Sequence, residues 1–190
     1  MKRVRSTLRL LLAVVMSVLL MLAIRALAFT IYSVDGEGLQ PVFLSGDRVM
    51  VNRWSYGLRT GIRTSKKSVG GLFSYGRLCR QPVRLGDIVA YENPTDSVRR
   101  RVLFGRVALL PGDTLCLNGR MIQLPSIANC ADADYYWIEA LGEKNPLDSR
   151  QLGYISERFI IGRAFMVVYS HQPEAPFWRG YRTERWMMKK

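Results

Sequence analysis

Hydrophobic positions fall into two regimes along this chain. From 8 to 24 they are continuous except for Arg9 and Ser17, and a second apolar run, 26–32, follows Arg25. Together these reach the ~20 residues that a helix needs to cross a bilayer core, so the pattern predicts one transmembrane helix. Beyond residue 32 the apolar positions come in short β-type runs punctuated by glycine and proline, with no long helical period. Residues 47–52 (DRVMVN) and 87–91 (DIVAY) each open on Gly-Asp, and 106–110 (RVALL) ends at the turn Pro111-Gly112-Asp113. A strand resumes at 114–117, and Asn118-Gly119 supplies a tight hairpin into 121–124. Runs at 135–139 and 160–169 complete the strands. The pattern therefore predicts a mainly β domain attached to one N-terminal helix.

Three segments follow from this reading. Residues 1–32 form a basic flank and anchor, 33–175 a β domain, and 176–190 a basic aromatic tail (PFWRGYRTERWMMKK). Within the domain, 54–82 is a loop-rich insert of Gly, Ser, Arg and Lys, in which Tyr56, Leu72, Phe73 and Tyr75 argue that part of it packs. The tail's mixture of tryptophan and arginine suits a membrane interface, and it suits equally a solvated end packed on the domain by Trp178.

Charge fixes a direction. Lys2, Arg3, Arg5 and Arg9 precede or open the apolar span, so the positive-inside bias keeps the N-terminus cytoplasmic and sends the domain across. Arg25 snorkels to the far interface, with Phe29 and Tyr32 as aromatic anchors. A cleavable secretory signal is the competing reading, since Ala26-Leu27-Ala28 has the small-x-small form of a cleavage site. The length of the span and the interruption at Arg25 favour a retained anchor. Removing Lys2, Arg3, Arg5, Arg9 and Arg25 from the formal charge of +13 leaves roughly +8 for the domain. No nucleic-acid-binding signature accompanies that charge, so anionic lipid is the expected partner and nucleic acid is not.

The 190 residues contain three cysteines, Cys79, Cys116 and Cys130, without metal spacing, and neither a metal nor a cofactor is expected. An extracytoplasmic site permits a disulfide, with Cys116 and Cys130 the better placed pair and Cys79 left over; three free, buried thiols are the other possibility.

Four stretches, in order, resemble bacterial type I signal peptidases. Residues 34–51 (VDGEGLQPVFLSGDRVMV) resemble that family's Ile-Pro-Ser-x-Ser-Met-x-Pro-Thr-Leu-x-x-Gly-Asp box, with Pro41, Gly46 and Asp47 in register and Leu39 in place of the methionine. Residues 84–94 (RLGDIVAYENP) resemble its Arg-Gly-Asp-Ile-Val-Val-Phe. Residues 105–113 (GRVALLPGD) resemble Lys-Arg-Val-x-x-Leu-Pro-Gly-Asp, and 148–162 (DSRQLGYISERFIIG) resemble its Asp-Ser-Arg box and Ile-Ile-Gly strand. The resemblance implies a signal-peptidase-like domain of antiparallel sheets on one transmembrane helix, at the bacterial inner membrane with the domain on the periplasmic side.

The resemblance also implies a site, and this chain departs from it there. The family uses a serine nucleophile and a lysine base whose pKa falls because it is desolvated. The nucleophile position is Gly38, the lysine position Gly105, the oxyanion serine position Gly36, and the serine that supports the lysine Pro146. Arg106 does not deprotonate and is no substitute base. Glu37 is adjacent to Gly38 but points to the opposite side of an extended segment. Ser45, Ser149 and His171 read as a turn residue, a supporting residue and a surface residue. The expected catalytic set is therefore empty, while Glu37, Gly38, Leu39 and Gly105 remain as substrate-contacting positions. The implied function is a non-cleaving binder of preprotein or signal-peptide segments, or a partner of an active signal peptidase. Two alternatives stay open: a working serine endopeptidase with relocated groups, and a structural subunit of an envelope complex.

Overall fold

The computed structural model describes residues 2–60, 76–96, 101–117, 119–129, 131–144, 147–176 and 178–189. The chain opens with helix α1 (Lys2–Ala28) and turns directly into β1 (Phe29–Ser33). The strands β2 (Asp47–Asn52), β3 (Leu58–Thr60), β4 (Gly76–Leu78), β5 (Ile88–Glu92), β6 (Val102–Leu109), β7 (Thr114–Leu117) and β8 (Arg120–Gln123) follow. Then come β9 (Tyr135–Ala140), the one-turn helix α2 (Ser149–Leu152), β10 (Ile155–Ser156), β11 (Ile160–Ser170) and β12 (Met188–Lys189). All the pairings are antiparallel.

An eight-stranded sheet in the order β1-β2-β11-β5-β6-β9-β10, with β12 added on β11, carries the domain; β3–β4 and β7–β8 are separate hairpins. The mainly β, antiparallel architecture expected from the sequence is what forms. The sheet buries both of its faces at β5. Ile88 and Ala90 enter one core with Val34, Phe43, Val49, Val51 and Phe104. Val89 and Tyr91 enter a second with Tyr56, Val107, Tyr136, Ile138 and Ile160. That is why 88–91 reads as a continuous apolar run rather than an alternating one. Strand β2, buried on one face only, alternates as such a strand must.

The apolar run 26–32 is divided differently from the sequence expectation. The helix ends at Ala28, and Phe29–Ser33 pairs with β2 from Phe29↔Asn52 to Ser33↔Arg48. Tyr32 packs edge-on against Phe104 at the first core. The large hydrophobic side chains from Leu10 to Leu22 are 47–68% exposed. Among the described residues, no helix is long and apolar enough to cross a membrane.

Of the 54–82 insert, 61–75, with Leu72, Phe73 and Tyr75, lies outside the described residues. Tyr56 does pack, buried in the second core. Cys79 and Cys116 are free and exposed, so Cys116 is neither buried nor joined in a disulfide; Cys130 lies outside the described residues.

Candidate functional site

The segment between β1 and β2 builds one wall of a cleft. Val34 N–H donates to Asp47 O and Gly46 N–H to Val34 O, pinning the two ends of the excursion together. Between them the chain makes compact turns, with Gln40 N–H bonded to Glu37 O and Phe43 N–H to Leu39 O. Buried Phe43 holds the excursion on Phe104, ring centroids 5.8 Å apart. The facing wall is the start of β6. Together they enclose a cleft of about 650 Å³ lined by Gly38, Leu39, Val102, Leu103, Phe104 and Leu147, among others.

The backbone of that facing wall is half open. Among the described residues, Val102 to Phe104 pair with β5 on one side, whereas the ladder to β9 begins only at Gly105↔Ala140. A short strand edge therefore faces the cleft, and an unpaired edge is a template for another extended chain.

The three family positions among the described residues do not converge on this cleft. Gly38 and Leu39 line it. Gly105 is buried in the sheet behind it, one residue past Phe104, and so presents its α-carbon to the other face. A β-carbon at 105 meets Ile138 Cγ2 closer than real contacts allow, and it lies 2.8 Å from Glu139 O and 3.5 Å from Tyr91 Cε1. The space that a longer side chain needs there is filled by the second core. Gly36, with φ +82°, lines a different cavity. Pro146 lies outside the described residues.

Glu37 is not part of the cleft lining; its carboxylate accepts from Lys144 Nζ at 2.6 Å. Gly142, two residues before Lys144, sits on the 38–40 backbone, and this brings Lys144 to Glu37: a β-carbon at 142 lies 2.5 Å from Gly38 O. Lys144 is held above the ordinary lysine range by its hydrogen bond to Glu37, and Glu37 below the ordinary carboxylate range by the same bond. An ammonium stabilised in this way is the reverse of a neutral base. The sequence reading missed Lys144, and nothing local to residues 141–144 signals it; only the fold brings it to Glu37.

The remaining hydroxyls and the histidine are also placed. Ser45 and His171 line one cavity of about 360 Å³ together with Asp35. Ser45 Oγ accepts from Gly36 N–H at 3.3 Å. Nε2 of His171 contacts the carbonyls of Arg179 (2.9 Å) and Pro176 (3.4 Å), which makes it the protonated nitrogen. Among the described residues no hydrogen bond joins Ser45 to His171. Ser149 is buried, its Oγ accepting from Ile138 N–H at 2.8 Å. It ties α2 to β9, the supporting role expected of it.

A sequence model of the signal peptidase, peptidase S26, family matches residues 7–128. The chain belongs to that family. The match takes in α1 from residue 7 onward and the first three of the four resembling stretches, and it ends before the Asp-Ser-Arg stretch at 148–162. No curated protein matches the chain. Gly38, in the wall of the cleft between the β1–β2 excursion and β6, supplies backbone alone.

Proposed function

We propose that this signal peptidase family member is a membrane-anchored protein that holds an extended preprotein segment without cutting it. The observation that carries the reading is Gly38 in the cleft wall, opposite the open β6 edge. An extended peptide adds to such an edge through main-chain hydrogen bonds, with side-chain pockets giving selectivity. Leu39, Leu103 and Phe104 provide an apolar pocket wall for that purpose. Hydrolysis through an acyl-enzyme needs a nucleophile, a base and an oxyanion donor acting as a unit, and loss of the nucleophile removes most of what the unit does. Position 38 has no nucleophile, and position 105 has neither a lysine nor room for one.

The anchor is α1. The exposed apolar side chains of residues 10–22 support it, as do Ala23 and Ile24, which continue the apolar sequence. The basic N-terminal flank places the N-terminus in the cytoplasm and the β domain on the outer face of an inner membrane. Protease added outside spheroplasts should then digest the domain and spare an N-terminal tag; protection of the domain contradicts this orientation. An active signal peptidase is the other partner the cleft would suit, as the source of the extended segment it holds.

Capture tests the binding reading. A photo-crosslinking residue at Arg101, exposed at the cleft mouth, should trap a signal-peptide segment. The same residue at Arg120, on the β7–β8 hairpin, should not. Equal capture at both positions contradicts binding in the cleft.

A further inference from the structure

A second polar cleft, of about 630 Å³, opens beside the point where α1 becomes β1. Asn52 pairs with Phe29, the first residue after α1, and the 3-10 turn at Arg53–Tyr56 packs against α1. The lining includes Asn52, Ser55, Gln81, Arg84, Asp87 and Arg163.

The hydrogen-bonding inventory of this cleft is one-sided. Its one carboxylate, Asp87, is buried and already used. Oδ2 accepts from the Tyr56 hydroxyl at 2.8 Å and from Arg84 N–H at 3.3 Å, and Oδ1 pairs with Arg163 Nε at 3.1 Å. Desolvation, followed by that bond to Asp87, pushes the Tyr56 hydroxyl far above its ordinary range, so it stays a donor to Asp87. The side chains left over carry donors. Among the described residues, the Arg84 guanidinium and the two terminal nitrogens of Arg163 make no hydrogen bond or ion pair. The same holds for the Ser55 hydroxyl, the Gln81 amide and the Asn52 amide nitrogen, whose Oδ1 is taken by Trp54 N–H at 2.9 Å. Two guanidiniums and three neutral donors thus converge on one opening, with the single negative charge neutralised behind them. Arginine pairs in this setting select tetrahedral oxyanions, which they bind through several parallel N–H···O contacts.

We propose that this cleft binds a phosphate group, and specifically the headgroup phosphate of an anionic phospholipid. The choice of lipid over free phosphate rests on the reading of α1 as the anchor, since only an anchored helix holds the opening at headgroup level. Bound there, the lipid would fix the rotation of the β domain about α1 and so the height of the Gly38 cleft above the membrane.

The test uses the full chain released from vesicles of equal phosphatidylglycerol and phosphatidylcholine and weighed by native mass spectrometry. One phosphatidylglycerol should be retained, favoured over phosphatidylcholine by tenfold or more, because a choline cation opposes the arginines. Arg84→Glu should abolish that preference, as should Ser55→Asp, which puts a carboxylate in the opening without touching Asp87. Arg120→Glu, the same charge change on the distant hairpin, should leave it intact. A preference that survives both cleft variants overturns the site. In a parallel titration of the detergent-solubilised chain, inorganic phosphate should bind at least tenfold more weakly than dihexanoyl phosphatidylglycerol. The opposite order overturns the lipid assignment and leaves a free-phosphate site. Carbonate extraction reads the anchor separately: a chain that washes off the vesicles yet binds dihexanoyl phosphatidylglycerol through Arg84 sinks the anchor and not the cleft.

Discussion

Gly105 sits where two side chains and a carbonyl already meet, and this makes it a sensitive position of the sheet. Adding one methyl group forces Ile138 or the Glu139 carbonyl to move. Gly105→Ala should therefore destabilise the domain by about 1–3 kcal/mol in urea denaturation; no loss of stability would show that the second core is loosely packed there. Gly105→Lys should be worse, so restoring a serine–lysine pair through Gly38→Ser and Gly105→Lys requires Ile138 to be trimmed as well. The Glu37–Lys144 pair makes a different kind of prediction. Glu37 is depressed in the folded state, so its contribution is fully present above the ordinary value of 4.5 and fades as pH falls through the lower folded value. Lys144 is raised, so its contribution holds below 10.5 and fades as pH climbs through the higher folded value. The Glu37–Lys144 pair should thus persist over the whole span between those two values. An NMR titration in which Glu37 titrates at or above 4.5 contradicts it. Both residues are largely exposed, so the pair adds little to global stability. At this scale Gly38 is legible from its box, since Pro41, Gly46 and Asp47 fix the register around it. Lys144 is not, because a contact between residues 37 and 144 has no sequence period.

Among the elements, the strands that alternate or run apolar are legible, and those defined by their partners are not. Strand β2 occupies the residues its pattern predicts, and β11 extends the 160–169 run by one residue. Strand β6 starts four residues earlier than the 106–110 run, at the apolar Val102-Leu103-Phe104, which pair with β5. Strand β1 reads as part of the anchor because so short an apolar run fits a helix or a strand equally well. The C-terminal tail shows how far such an element is fixed by long-range contacts. Arg185 donates to Asp47 Oδ2 at 2.7 Å and to the Val42 carbonyl at 3.1 Å, and Arg182 donates to the Ser45 carbonyl at 3.1 Å. The tail thereby braces the β1–β2 excursion from behind. Asp47 is wholly buried, so removing its partner leaves a charge without compensation. Arg185→Ala should cost about 3 kcal/mol by chemical denaturation. A change below the scatter of the measurement would mean that the tail is not docked on the excursion.

For the whole molecule, two cores lie on either face of one sheet. The first core, with Phe43 and Phe104, sets the cleft; the second, with Tyr91 and Ile138, occupies the place behind Gly105. The scaffold is legible because turns such as Gly46-Asp47 and Pro111-Gly112-Asp113 carry their own backbone signatures. The cleft's facing wall is not, because it depends on where the β9 ladder starts. The central claim is binding without cleavage, and incubation of the purified full-length chain with a preprotein, followed by intact-mass spectrometry, tests it most directly. The account predicts that the preprotein stays at full mass under conditions in which an active signal peptidase processes it, while remaining associated with the chain. Cleavage at the small-x-small site, lost on Ser45→Ala or Ser149→Ala, would contradict the account and make this family member an enzyme.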